Sequence, residues 1–171
     1  MNVFLRELKA NLKSLIIWSS GVCLLVVGGM GKYAGLSASG QSMNDLLAQM
    51  PESLKAVWGL GSFDLATVGG YYGVLFVYLA VMAAIHAAML GAIIISKEER
   101  DKTAEFLFVK PISRSKIITA KLGAALVNIL LFNLATLTSS VMMVQKYSRS
   151  EKVMRDMIIL MAGMLILQLN F

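Results

Sequence analysis

Charge is what this sequence has least of. Asp, Glu, Lys and Arg make up 15% of its 171 residues while 57% are apolar, against about 25% and about 45–50% in an ordinary soluble domain. A soluble enzyme and a disordered chain are both excluded by that balance. A single cysteine, Cys23, rules out a disulfide framework within the chain, and its place in an apolar run marks it as a small packing residue. A single histidine, His86, with no acid or cysteine in the same run, leaves a metal cage or a catalytic triad without its parts. No catalytic, metal or cofactor site is expected.

The charge is also missing in blocks. Residues 14–31, 65–96, 122–145 and 157–171 contain none, giving runs of 18, 32, 24 and 15 residues, and the mean hydropathy is +0.71. About 20 apolar residues cross the roughly 30 Å of hydrocarbon, so the first three runs can each span a bilayer. The fourth reaches only about 22 Å as a helix, and no basic flank follows Phe171 to anchor it. The chain is expected to stop inside a fourth span. The fold class that follows is all-α, a polytopic helical integral membrane protein with an interfacial elbow helix, three complete transmembrane helices and one incomplete one.

A net charge of +6 would point to nucleic acid in a soluble protein. Here the 16 basic residues flank the apolar runs, where they set topology, so no nucleic acid is expected and the bilayer is the first partner. Over residues 2–14, Arg6, Lys9 and Lys13 share one helical side while Phe4, Leu5, Leu8 and Leu12 share the other, the pattern of a helix lying in the interface. The alternative is an early start to the first span, which is placed at 15–31 with Trp18 near its interfacial end. The loop 32–64 carries two short helical stretches, 44–50 and 51–60, the second opened by Pro51. The second span is expected over 68–96, the third over 122–145 and the partial fourth over 157–171.

Seven basic residues in 97–121, three in the amino-terminal segment and two in 32–64 place the first two segments in the cytoplasm and the third outside. Lys146, Arg149, Lys152 and Arg155 conflict with that assignment, because three crossings put 146–156 outside.

Segment 97–121 carries the candidate chemistry. Thr103 to Val109 reads as a short helix stopped by Pro111, and Ser113 can cap a new helix starting at Arg114. Phe106, Leu107, Phe108 and Val109 present apolar side chains from a strongly charged loop, so the bilayer surface, the elbow or a docked soluble subunit must cover them. Glu98, Glu99, Glu105, Lys110 and Arg114 surround them, giving the apolar centre and polar rim of an interface.

The string Glu99-Arg100-Asp101-Lys102-Thr103-Ala104-Glu105-Phe106-Leu107, then Lys110-Pro111-Ile112-Ser113-Arg114 and Ile118-Thr119-Ala120-Lys121, resembles the cytoplasmic loop of type-2, exporter-like ABC transporter permeases. The outer-loop string Met50-Pro51-Glu52-Ser53-Leu54, with Gly59 downstream, is similar too. Lys102 stands where that family commonly has glycine. The resemblance implies an elbow followed by six spans, of which this chain holds the front part, 1–171 being the amino-terminal portion of one permease domain. It implies that the loop, with Glu98, Glu99, Arg100, Thr103, Glu105, Phe106, Leu107, Phe108, Pro111, Ser113 and Arg114, is the coupling element seated on an ATP-binding-cassette ATPase subunit. It further implies a second permease subunit, identical or related, in the cytoplasmic membrane with the amino terminus inside, working in export.

ATP hydrolysis is expected on a separate chain. The string Gly35 to Ser42 has phosphate-loop glycine spacing but Gln41 where lysine is required. A secondary carrier, the alternative function, needs an intramembrane acid or base, and none of the four runs has one; a non-transporting membrane anchor or partner is the third reading. His86 is either an interhelical hydrogen-bonder or part of a path, and Asn133, Thr136 and Ser140, on one face of the third span, either line a path or bond a neighbouring helix.

Overall fold

The computed structural model describes residues 3–38, 49–57, 65–100, 113–148 and 150–171, with the side chains at 36, 38, 57, 95, 97–100, 114 and 151 outside that description. Five helices cover them: α1 (Val3–Ala38), α2 (Glu52–Val57), α3 (Val68–Arg100), α4 (Arg114–Tyr147) and α5 (Glu151–Leu169). α1, α3 and α4 each contain a stretch long and apolar enough to cross a membrane. The all-α, polytopic class expected from the charge-free runs is the class observed.

Residues 3–14 of the segment expected at the interface and the first span belong to one helix: α1 runs unbroken through 36 residues, about 54 Å. No proline lies before Pro51 and no glycine before Gly21, so nothing in the backbone forces a break at the elbow. Trp18 belongs to this same helix. It sits roughly 22 Å into α1, its ring centroid 5.8 Å from that of His86. In the 32–64 loop, α2 starts after Pro51, whose carbonyl accepts from Leu54 and Lys55 N–H at 3.0 and 3.1 Å. The expected stretch 44–50 falls mostly outside the described residues.

The long helices form an up-down-up-down bundle. α3 runs antiparallel to α1, since Gly21 faces Met82 and Gly29 faces Leu75. α4 runs parallel to α1, with Phe4 against Gly123 at one end and Tyr33 against Tyr147 at the other, 6.2 Å between centroids. α5 returns along α3, Val153 beside Gly69 and the Phe171 carbonyl beside Gly91. Lys146, Lys152 and Arg155 thus lie at the end that holds Tyr33 and Thr67, opposite the end where α3 stops and α4 begins.

The core follows helical spacing. Leu15, Val22, Val26 and Met30 of α1 meet Tyr72, Leu75, Leu79 and Ala83 of α3, Phe132 and Val144 of α4, and Met157, Met161 and Met164 of α5. Outward positions are also apolar: Ile17, Leu24, Val81, Ile85, Leu134, Met142, Ile159 and Ile166 are all exposed. An exterior this apolar is stable only where hydrocarbon rather than water covers it.

Candidate functional site

The candidate residues fall in two places, the interior of the bundle and the segment between α3 and α4. In the interior, His86 is 2% exposed. Its ring stacks on that of Phe132, with centroids 4.6 Å apart and planes at 16°, and makes a T-shaped contact with Trp18 at 5.8 Å. The imidazole Nδ1 has no hydrogen-bond partner among the described residues.

Asn133, Thr136 and Ser140 do share a face, and that face packs into the bundle. Asn133 Nδ2 donates to the Ile129 carbonyl at 2.9 Å and to Gln168 Oε1, while Gln168 Nε2 donates to the Ala83 carbonyl at 3.2 Å. Three helices are joined by those two amides. Thr136 Oγ1 donates to the Phe132 carbonyl at 2.9 Å, a bond within its own helix that satisfies the hydroxyl in an apolar setting. Ser140 is fully buried beside the Tyr72 hydroxyl, and neither oxygen meets hydrogen-bond geometry with a described residue.

Gln168, Tyr72 and Asn128 were not among the sequence candidates. Gln168 had a legible signal, an amide in an otherwise apolar run. Asn128 sits a turn and a half before Asn133 and, among the described residues, bonds the Ala124 carbonyl alone, at 3.3 Å. Buried groups of this kind each cost roughly 1–3 kcal/mol when unpaired, so their pairing decides which helix faces meet. Tyr72 also lines a cleft of about 640 Å³ between the first turns of α3 and α5, with Gly69, Gly70, Lys152 and Asp156 on its walls.

At the other end, the structure reaches the candidate loop only at its roots. Glu98, Glu99 and Arg100 lie on the last turn of α3 with side chains outside the described residues, as is that of Arg114 at the start of α4. Thr103, Glu105, Phe106, Leu107, Phe108 and Pro111 lie outside the described residues altogether, as does the expected helix 103–109. Ser113 caps α4: its φ and ψ are −63° and 142°, and its side chain accepts from Lys116 N–H at 3.4 Å. Three further residues, absent from the sequence candidates, gather at these roots. Glu7 and Asn11 of α1 and Lys121 of α4 are buried, and Lys121 Nζ donates to the Ile94 carbonyl of α3 at 2.7 Å.

No group of three or more His, Cys, Asp or Glu side chains forms a metal cage among the described residues. Among the described residues, what the site contains is polar contacts that join helices.

A family model described as ABC-2 family transporter protein matches residues 1–171. No curated protein and no solved structure matches the chain.

Proposed function

The chain belongs to the ABC-2 family of transporter proteins, and from that premise we propose that it is the membrane-spanning permease part of an exporter driven by a separate ATP-binding-cassette ATPase. The observation that carries this reading is the family match over the whole chain, joined to three helices of membrane-crossing length. The protein is a multi-pass membrane protein. The cytoplasmic membrane, an amino terminus inside and a second permease subunit beside this one are parts of the proposal.

The ATPase docks, in this reading, on the connection between α3 and α4. The first turn of α1 lies beside the early turns of α4, and ten of the 16 basic residues lie in 6–13 and 97–121, which supports a cytoplasmic position for that end. Phe106, Leu107 and Phe108 supply the apolar anchors, and Glu98, Glu99, Arg100, Thr103, Glu105, Pro111, Ser113 and Arg114 the rim and the turn. A helix entering each root transmits any displacement of the connection along α3 and α4. His86, Asn133, Ser140 and Gln168 act as contacts between helices, with Thr136 on the same face of α4: the amides of Asn133 and Gln168 join three helices, so shifting one helix means exchanging their partners.

The test is co-purification of soluble proteins with the tagged full-length gene product from detergent-solubilised native membranes. A nucleotide-binding ATPase is expected with the wild type, and Phe106→Ala with Phe108→Ala should cost about 2–4 kcal/mol of docking energy, enough to lose the subunit in washing. Recovery of no ATPase with the wild type moves the assignment to a self-contained carrier or a membrane anchor; unchanged recovery with the double variant removes the docking role of the two phenylalanines.

A further inference from the structure

The cleft between the first turns of α3 and α5 is shaped by what α3 lacks. Gly69, Gly70 and Gly73 line one wall without side chains, and Lys152, Asp156 and Leu160 line the other, at a four-residue spacing that puts them on one helical face. Its volume of about 640 Å³ lies within the roughly 300–1,000 Å³ of ligand clefts.

The cleft straddles the boundary between the charged and the apolar parts of the bundle. On α5, Asp156 is the last charged residue before the charge-free run 157–171, and the run 65–96 begins three residues before Val68 opens α3. Tyr33, Tyr71 and Tyr147 gather at this same end, with ring centroids 5.2 Å apart for Tyr33 and Tyr71 and 6.2 Å for Tyr33 and Tyr147. Tyrosines collect where hydrocarbon meets head groups. The mouth therefore lies at head-group depth, and its inner wall, formed by Met157, Leu160 and the buried Tyr72, at the depth of the first acyl carbons.

Lys152 and Asp156 supply the charge. Neither forms an ion pair with a described residue, and a lysine four residues ahead of an acid is the less favourable order for pairing within a helix. One cation and one anion a turn apart, about 6 Å along the axis, complement a zwitterion. The Lys152 ammonium attracts a phosphate as a point charge, and the Asp156 carboxylate accepts charge-assisted hydrogen bonds from an N–H donor. Below them, apolar walls need atoms to pack against, and at that depth the solvent is lipid.

We propose that this cleft binds a single phospholipid whose head group carries both a phosphate and a primary ammonium, with the phosphate on Lys152, the ammonium on Asp156 and the start of an acyl chain against Met157 and Leu160. The site requires a bilayer and not a docked ATPase, so it stands apart from the function proposed above.

The experiment reconstitutes the tagged full-length protein in vesicles of phosphatidylethanolamine, phosphatidylcholine and phosphatidylglycerol in equal amounts and counts the retained lipids by native mass spectrometry. Phosphatidylethanolamine should be retained about three- to fivefold over each of the others, the discrimination that one exposed ion pair supplies, because choline offers no N–H and glycerol no cation. Asp156→Asn should erase the preference over phosphatidylglycerol while a lipid is still bound, and Lys152→Gln should lower retention of all three. Both side chains are exposed, so neither substitution disturbs the core. Arg155→Gln, on the same turn but outside the cleft, should change nothing. Equal retention of the three lipids by the wild type, a preference that survives both cleft substitutions, or an equal loss in Arg155→Gln reduces the cleft to ordinary contact with bulk lipid and overturns the proposal. Displacement of the bound lipid by soluble phosphoethanolamine also overturns it, because the charges then serve a water-borne ligand.

Discussion

One added methyl group tests the closest approach between α1 and α3. A Cβ built on Gly29 would lie 2.7 Å from Leu75 Cδ1 and 3.0 Å from Cδ2, whereas one on Gly28 meets nothing within 4 Å. Leu75 is 7% exposed, so its methyl groups have little free space to retreat into. Glycine to alanine in a helix interior gains about 1 kcal/mol at either position, from reduced freedom of the unfolded chain. At Gly29 that gain is set against about 1–3 kcal/mol for overpacking. Gly28→Ala is therefore expected to stabilise by about 1 kcal/mol, and Gly29→Ala to range from neutral to about 2 kcal/mol destabilised. The propensity gain cancels between the two variants, so their difference isolates the overpacking. Reversible unfolding in mixed micelles, titrated with a denaturing detergent, reads it directly. Equal midpoints for the two variants would refute the packing described for this helix pair.

Two further outcomes follow from particular contacts. Gln168→Leu removes the bonds to Asn133 and to the Ala83 carbonyl while Asn133 keeps its bond to Ile129, so a loss of about 1–2 kcal/mol is expected at typical strengths for membrane interhelical bonds; an unchanged midpoint in the same titration would show that the amides do not hold α5. Ser113→Ala removes the side-chain cap of α4 and should weaken its first turn by about 1 kcal/mol, visible as faster amide exchange at Lys116 with no change at Val144; unaltered exchange at Lys116 would deny Ser113 its capping role.

Much of the fold was legible because hydrocarbon is a simple solvent. Runs of 18, 32 and 24 residues without charge leave a backbone no way to satisfy its polar groups except as helices, and three helices of crossing length stand there. Ser113 was legible as a cap because capping depends on three or four consecutive residues. The elbow was harder to read: a basic stripe on 2–14 describes equally a helix on the membrane surface and the first turns of a longer one, and continuity with the span depends on what those turns pack against. Among the interior candidates, the shared face of Asn133, Thr136 and Ser140 was given by periodicity, but their partners Gln168 and Tyr72 lie on other helices, far away in sequence.

The amino-acid sequence by itself determined that this chain is helical, spans a membrane and carries a charged, amphipathic connection between its second and third long helices, because these properties depend on local composition and on lengths compared with the thickness of a bilayer. Only the tertiary structure decided that Gly29 rather than Gly28 meets its neighbour, that Gln168 reaches both Asn133 and the Ala83 carbonyl, and that Glu7 and Lys121 are buried. Those are questions of register between helices. Register is set by the summed fit of side chains tens of residues or more apart, which no short window along the chain contains.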